Sequence, residues 1–343
     1  MFKRFFGSKK SESHSKQLAE DDVFEIEEEE EDRGDVESAF LQNLKTNMSR
    51  MIAYTHSADI KLQREVAEML ANEAVNSDRQ VQIVEYGGLS LLVPLTKSAD
   101  EDVQRLAVHS LANLSVNSNN QVLLAEQGAI ELLIEVLGSA TNETIQRQAA
   151  KAIANMGVNQ DNKLKIGQKG GIPKLVNLAR STNLQVKIEA VAALGNLAVN
   201  DFNEVEIVEV GALEILEEAA ALSLRFFTSN KGSRVQNVLK ERSYWEELAA
   251  QSARCIRNLT VNPDNRQCVV ECGLVPILRE FGTMKNDRIA QQAMKAVRNL
   301  SSVLENKGHD RAERKSKKNS SSHAKAEAKQ AGADHGKEKR GYK

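Results

Sequence analysis

Six asparagines recur at matching intervals along this chain of 343 residues. They are Asn72, Asn113, Asn155, Asn196, Asn258 and Asn299, at steps of 41, 42, 41, 62 and 41 residues. A carboxamide carries donors and an acceptor, so a row of them can bond the N–H and C=O groups of an extended peptide without reading its sequence. Asparagine is a poor helix former, so six in register suggest a common task. The alternative is that they bond neighbouring turns of their own protein.

Residues one and two turns earlier on the same helical face are placed to read a ligand. Four residues before the asparagines stand Glu68, His109, Lys151, Ala192, Arg254 and Lys295, and eight before them stand Arg64, Arg105, Arg147, Ile188, Ala250 and Gln291. The candidate partner-binding residues are the six asparagines with Arg64, Arg105, His109, Arg147, Lys151, Arg254 and Lys295. Basic side chains in this pattern suit an acidic, extended partner. Each exposed contact would contribute well under about 1 kcal/mol, so many must act together, and for any single one a solvated helix face is the alternative.

A second motif runs in phase with the asparagines and defines the elements that position them. It is Gly-(Gly/Ala/Leu)-(Leu/Ile/Val), and it starts at Gly87, Gly128, Gly170, Gly211 and Gly273. The unit at 121–162 reads as three helices, with Gly128 as a C-terminal cap of the first. The third helix carries an alanine-rich buried stripe. Asn159 and its equivalents stand where this helix stops, and the left-handed conformation that asparagine tolerates is expected there.

The glycine-capped turn followed by "ANLSVN" and its variants resembles the armadillo repeat, over about 44–306 and about six units. The resemblance implies an all-α fold, a right-handed α-solenoid whose third helices line a concave groove. It also implies that the asparagines bind a ligand backbone. Importin-alpha proteins place tryptophan four residues before each asparagine, whereas Trp245 lies elsewhere. The chain is therefore more similar to catenin-like or vacuolar armadillo proteins than to importin-alpha proteins.

Charge and composition divide the chain into three parts. Residues 1–38 form a basic-then-acidic arm and 307–343 a basic tail, and both are predicted to be disordered. The solenoid is expected over 39–306, with residues 40–54 as a capping helix and an insertion near 222–243. The insertion is either an aromatic and basic contact loop or an extended second helix with a linker. Twelve acids in 20–37 suggest that the arm competes with outside ligands for the groove.

Enzyme, metal and cofactor signatures are missing from the sequence. It has no GxxxxGK motif, its six histidines are scattered, and Cys255, Cys268 and Cys272 read as small apolar filler. No apolar run approaches the roughly 18 residues that span a bilayer, so a soluble intracellular protein is expected.

The predicted function is a non-catalytic scaffold or adaptor that holds an extended acidic segment of a partner protein in its groove. The alternative is an adaptor that targets membrane or cytoskeleton through its basic ends and insertion. Neither a small-molecule substrate nor nucleic acid is expected. The predicted location is the cytoplasm, with membrane or cytoskeletal association or the nucleus also open.

Overall fold

A computed structural model of the protein describes residues 39–306. Its helices are α1 (Ala39–Thr55), α2 (Ile60–Glu73), α3 (Ser77–Glu85), α4 (Gly88–Leu95), α5 (Glu101–Leu114), α6 (Ser118–Glu126), α7 (Ala129–Ser139), α8 (Glu143–Met156), α9 (Gln160–Gln168), α10 (Gly171–Leu178), α11 (Leu184–Leu197), α12 (Asp201–Glu209), α13 (Ala212–Ser229), α14 (Gln236–Leu259), α15 (Pro263–Glu271), α16 (Leu274–Gly282) and α17 (Asp287–Asn299). Residues 301–306 are also helical. Within 39–306 every regular element is a helix, which confirms the predicted all-α class.

The helices group into repeats of three, with a partial repeat at the start. The third helices are α2, α5, α8, α11, α14 and α17, and each full repeat adds two shorter helices before its third. The chain divides into two compact units, Met1–Asn162 and Lys163–Lys343. In the first unit α5 packs against both α2 and α8, and in the second α14 packs against both α11 and α17. Within each unit the third helices thus pack side by side, and the candidate residues lie on them.

A left-handed glycine joins the first and second helices of each full repeat. Gly87, Gly128, Gly170, Gly211 and Gly273 have φ between 73° and 89°, a region that side chains with a Cβ rarely adopt. The predicted glycine-capped turn is therefore confirmed.

The asparagines that follow the third helices do something other than the sequence suggested. Asn76, Asn117 and Asn262 have extended backbone with φ between −79° and −68°, so the predicted left-handed exit is wrong. Each side-chain oxygen accepts a hydrogen bond from a backbone N–H in the first turn of the next helix. These residues are N-caps, and a lost cap of this kind costs about 1 kcal/mol.

The third helices bury small and branched side chains against one another. In α8, Ala149, Ala150, Ile153 and Met156 are fully buried, as the alanine-rich stripe predicted. At the start of the described chain, Leu44 and Met51 of α1 are buried and α1 packs against α2, with a kink at Asn47. At the other end Leu300 is fully buried.

The repeat formed by α12, α13 and α14 contains the insertion, whose extra residues lengthen two of its helices. The second helix, α13, runs on to Ser229, and the third, α14, begins at Gln236. The insertion is therefore a helical hairpin with a short connection at 230–235, where a projecting loop was one expectation. The Phe226 ring stacks on Trp245 with centroids 5.3 Å apart, which joins the two extensions.

Candidate protein-binding surface

The six asparagines occupy equivalent positions near the C-terminal ends of the third helices. Three of them donate their side-chain amide to the preceding repeat. Nδ2 of Asn155 lies 3.2 Å from the Ala112 carbonyl oxygen and 3.1 Å from Ser115 Oγ. Nδ2 of Asn258 lies 2.7 Å from the Gly195 carbonyl oxygen. Nδ2 of Asn299 lies 3.1 Å from Thr260 Oγ1. These amides form hydrogen bonds between successive third helices. The sequence analysis gave bonding within the protein as the alternative to ligand binding.

The other three asparagines differ in their surroundings. Asn72 is exposed and has no hydrogen-bond partner in the part of the chain that the structure describes. Nδ2 of Asn113 lies 3.1 Å from Nε2 of His109. The Asn196 oxygen accepts a hydrogen bond from the Arg254 guanidinium at 2.7 Å. For Asn155 and Asn299, no described donor reaches the side-chain oxygen, so that atom is the part available to a ligand N–H.

Four basic side chains of the first unit converge on the face shared by α5 and α8. We call Arg105, His109, Arg147 and Lys151 the basic patch. Burial lowers the pKa of His109, and the positive charges of Lys151, Arg105 and Arg147 lower it further. Charges affect one another in this way only when they are close. No acidic partner of Lys151 lies among the described residues.

Acidic neighbours partly neutralise Arg64 and, within the basic patch, Arg105. The Arg64 guanidinium pairs with Asp100 at 2.9 Å and lies 3.8 Å from Asp102. Asp102 also lies 3.5 Å from the Arg105 guanidinium. The positive charge is therefore stronger near Lys151 than near Arg64.

In the second unit the two predicted basic residues differ: Arg254 is bonded to other helix residues, whereas Lys295 is exposed. The Arg254 guanidinium donates to the Asn196 oxygen and, at 3.1 Å, to the Ala192 carbonyl, while its Nε donates to Gln251 at 2.9 Å. These bonds bind α14 to α11 and leave Arg254 little freedom to meet a partner. Lys295 is exposed on α17 with no acidic partner in the described range.

A second asparagine series with the same period was missed in the sequence. Asn120, Asn162, Asn203 and Asn265 are the third residues of successive first helices, and all four are buried. Their Nδ2 atoms donate to the carbonyl oxygens of Gln80, Gln121, Lys163 and Glu204, at 2.9, 2.9, 2.8 and 3.3 Å. This series holds successive first helices together. Its steps of 42, 41 and 62 residues would have been enough to identify this series from the sequence.

Three-helix repeats stacked through their third helices define a helical-repeat protein. Residues 76–116, 117–157, 159–199 and 262–302 match the Armadillo/beta-catenin-like repeat. The chain therefore carries armadillo repeats over these four stretches. The full repeat left unmatched is the one formed by α12, α13 and α14, which carries the insertion.

Solved structures with the same fold include designed proteins. The designed armadillo repeat protein YIII(Dq)4CqI is 25% identical with a TM-score of 0.62, and the match covers 73% of this chain and 98% of that one. The designed armadillo repeat protein YIII(Dq.V1)4CPAF, in complex with the peptide (KR)4, is 25% identical with a TM-score of 0.60 and the same coverage. A structure from work on a phosphorylation switch between cadherin and beta-catenin is 20% identical with a TM-score of 0.58, over 73% of this chain and 44% of that one. A search of curated proteins gave no match.

The predicted N-terminal arm (1–38) and C-terminal tail (307–343) lie outside the described residues. Among the helices of 39–306, none is long and apolar enough to cross a membrane.

Proposed function

We propose that this armadillo protein is a non-catalytic scaffold that holds an extended acidic segment of a partner protein against the third helices of its first unit. The observation that carries the proposal is the convergence of Arg105, Arg147 and Lys151 on His109, whose pKa is lowered by burial and by these three charges. An extended peptide presents carboxylates on alternate residues, so several can meet this patch together. A designed armadillo relative holds the peptide (KR)4, which supports peptide binding as a use of the fold.

The asparagines take a narrower part in this proposal than the sequence suggested. Because Nδ2 of Asn155 is already bonded to the preceding repeat, only its oxygen is offered to a ligand. Replacing Asn113, Asn155 and Asn196 together would weaken the protein as well as any binding. Charge reversal in the basic patch is the cleaner test, because Arg105 and Lys151 are half-buried at the surface and hold no helix in place.

The experiment uses residues 39–343 and a labelled peptide of residues 20–37, which has twelve acidic residues. Titration in 50 mM salt should show binding that the double variant Arg105→Glu, Lys151→Glu weakens by roughly tenfold or more, since each exposed pair contributes up to about 1 kcal/mol and reversal adds repulsion. The matched control is Arg279→Glu, an exposed residue of α16 in the second unit, which should bind like the parent chain. Equal affinity in the double variant and the control would refute the proposal.

A second candidate function is targeting to an anionic membrane through the insertion hairpin. Val235, Leu239 and Tyr244 are 60%, 49% and 43% exposed there. Arg225, Lys231, Arg234 and Lys240 are also exposed, without acidic partners in the described residues. Apolar and basic side chains together favour an acidic lipid surface. Co-sedimentation with vesicles of phosphatidylserine and phosphatidylcholine tests this candidate: serines at the four basic positions should abolish it, and unchanged sedimentation would exclude the hairpin. Cytoplasmic location with membrane association is part of this proposal.

A further inference from the structure

Five valines recur once per repeat, three residues after the candidate asparagines. They are Val75, Val116, Val158, Val199 and Val261, and we call them the valine row. Their exposed fractions are 67%, 58%, 61%, 53% and 61%. Apolar side chains that are exposed singly are normal on a protein surface, whereas exposed apolar side chains that form a patch mark interaction sites. Five at the same position of successive repeats therefore require an explanation.

The local backbone does not explain valine at this position. Val75 is the third residue of a turn in which the N–H of Asn76 donates to the Glu73 carbonyl oxygen at 3.2 Å. In the equivalent turn of the α8 repeat, the N–H of Asn159 donates to the Met156 carbonyl oxygen at 3.2 Å. Turns favour glycine, proline, asparagine, aspartate and serine, whereas β-branched valine is enriched in strands. Valine therefore stands here against the usual preference of a turn.

Packing against the following helix does not explain it either. A residue that precedes an N-cap often packs against an apolar fourth residue of the helix, an arrangement called the hydrophobic staple. The N-caps Asn76, Asn117 and Asn262 directly follow three of the valines. The fourth residues of the helices that follow the five valines are all polar: Gln80, Gln121, Lys163, Glu204 and Arg266. The valines are therefore not staples.

In the first unit the valines lie along one edge of the repeats. Val75, Val116 and Val158 follow the ends of α2, α5 and α8, which pack side by side. Nδ2 of Asn120 in α6 donates to the carbonyl oxygen of Gln80 in α3 at 2.9 Å, so the helices that follow the first two valines also lie side by side. Packed helices are about 8–10 Å apart, and this spacing sets the step from one valine to the next.

In the second unit a cavity lies between two members of the row. Val199 and Val261 both line a cavity of about 440 Å³, together with Ala198, Pro263 and polar side chains. These two valines follow the ends of α11 and α14. A cavity of about 150 Å³ already holds benzene, so this one has room for a large apolar side chain. The surface between two successive valines can therefore receive a side chain of a partner.

An α-helix has the spacing that the valine row requires. It rises about 1.5 Å per residue, so residues seven apart lie on nearly the same face and about 10.5 Å apart. One residue of each heptad can therefore meet each valine, and an apolar residue three or four positions further on can enter the space between valines. An extended strand presents residues of one face about 7 Å apart, which does not match the step between repeats.

Aspartates beside the row indicate the charge of the partner. Asp78, Asp161 and Asp264 stand three residues after their valines and are exposed. Each has an ordinary role at the start of a helix, where an acid complements the helix dipole, so the aspartates by themselves indicate no ligand. Beside a row of exposed valines, however, they favour a helix whose apolar stripe is flanked by lysine or arginine.

We propose that the valine row is a docking surface, and that its occupant is a basic amphipathic helix of a partner protein with an apolar heptad stripe. Docking an apolar helix face on a complementary apolar surface is a recurrent mode of recognition. The valine row and the basic patch are separate surfaces with partners of opposite charge, so either assignment can fail without the other.

Titration of the full chain with a labelled helical peptide tests the proposal. The peptide has three heptads with leucine at positions a and d and lysine at e and g, where like charges oppose its pairing with itself. The triple variant Val75→Ser, Val116→Ser, Val158→Ser should bind it roughly tenfold more weakly or worse, because three apolar contacts are lost together. The matched control Val122→Ser changes a valine of α6 that is 43% exposed and lies outside the row, and it should bind like the parent chain.

A second peptide of the same composition, scrambled so that no heptad stripe remains, separates shape from charge. The acidic residues of 20–37 attract both peptides alike, so a difference between the peptides reports the valine row. The triple variant should melt at the same temperature as the parent chain, because the three side chains are exposed. Equal affinity of the triple variant and the parent chain, or of the two peptides, would overturn the proposal. A parent chain that dimerises while the triple variant stays monomeric would assign the row to a second copy and overturn the partner assignment.

Discussion

Replacement of Asn120 by alanine tests how successive repeats are held together. Asn120 is fully buried, and its Nδ2 lies 2.9 Å from the Gln80 carbonyl oxygen and 3.1 Å from the Leu114 carbonyl oxygen. The Gln80 bond joins α6 to α3, and the Leu114 bond joins α6 to the end of α5. Alanine removes both donors and leaves two carbonyls without them.

The cost follows from these two bonds. Each contributes about 0.5–1.5 kcal/mol net, and a carbonyl left buried and unpaired adds a desolvation penalty. The side-chain oxygen of Asn120 is itself buried without a partner, and its removal recovers part of the loss. We therefore expect the free energy of unfolding to fall by about 2–3 kcal/mol.

Urea unfolding followed by circular dichroism at 222 nm measures this change. The matched control is Asn119→Ala, one residue earlier in α6, where the side chain is exposed and the change should stay within about 0.5 kcal/mol. Equal unfolding midpoints for the two variants would refute the claim that the buried asparagine series couples the repeats.

Four further predictions concern three single side chains. The pKa of His109 is lowered from its usual 6.5, so around and below this pH the folded state binds fewer protons than the unfolded state. The free energy of unfolding should therefore decline as pH falls through and below 6.5. Urea titrations at several pH values measure this decline, and His109→Gln should flatten it. The same ring should gain a proton beside a bound acidic peptide, so affinity for residues 20–37 should rise several-fold from pH 7 to 5.5, and a flat titration profile would contradict this. Burial raises the pKa of the Cys255 thiol to about 12, so iodoacetamide at pH 8 should label exposed Cys268 in the native protein and Cys255 only after unfolding, as mass spectrometry can show. Trp245→Ala removes the stack on Phe226 and should speed hydrogen exchange over 222–243 while α17 keeps its protection. Equal exchange over 222–243 in the variant and the parent chain would show that the stack does not hold the hairpin.

The period of the sequence predicted the repeats well because each glycine turn is a local event. Gly128 adopts its left-handed conformation for reasons contained in a few residues, so its role can be read without a structure. The pairing of Arg64 with Asp100 could not be read in this way, since it joins side chains 36 residues apart in sequence and depends on how two repeats pack.

The site was harder to predict than the fold. Asn155 looked like a free ligand contact, but its amide faces Ala112 of the preceding repeat, and only the packing of α8 on α5 reveals that. Arg254 looked like an exposed base, but it is bonded to Asn196 and Ala192. In the insertion, residues "LSLRFF" continue α13 as a helix, which was the alternative to the aromatic and basic contact loop.

The central claim is that an acidic partner segment lies against α5 and α8. Hydrogen exchange of residues 39–343, with and without the peptide of residues 20–37, tests it most directly. The proposal predicts that bound peptide slows exchange over 101–114 and 143–156, and that this protection is lost in the double variant Arg105→Glu, Lys151→Glu. Protection confined to the hairpin at 222–243, with none over α5 and α8, would contradict it.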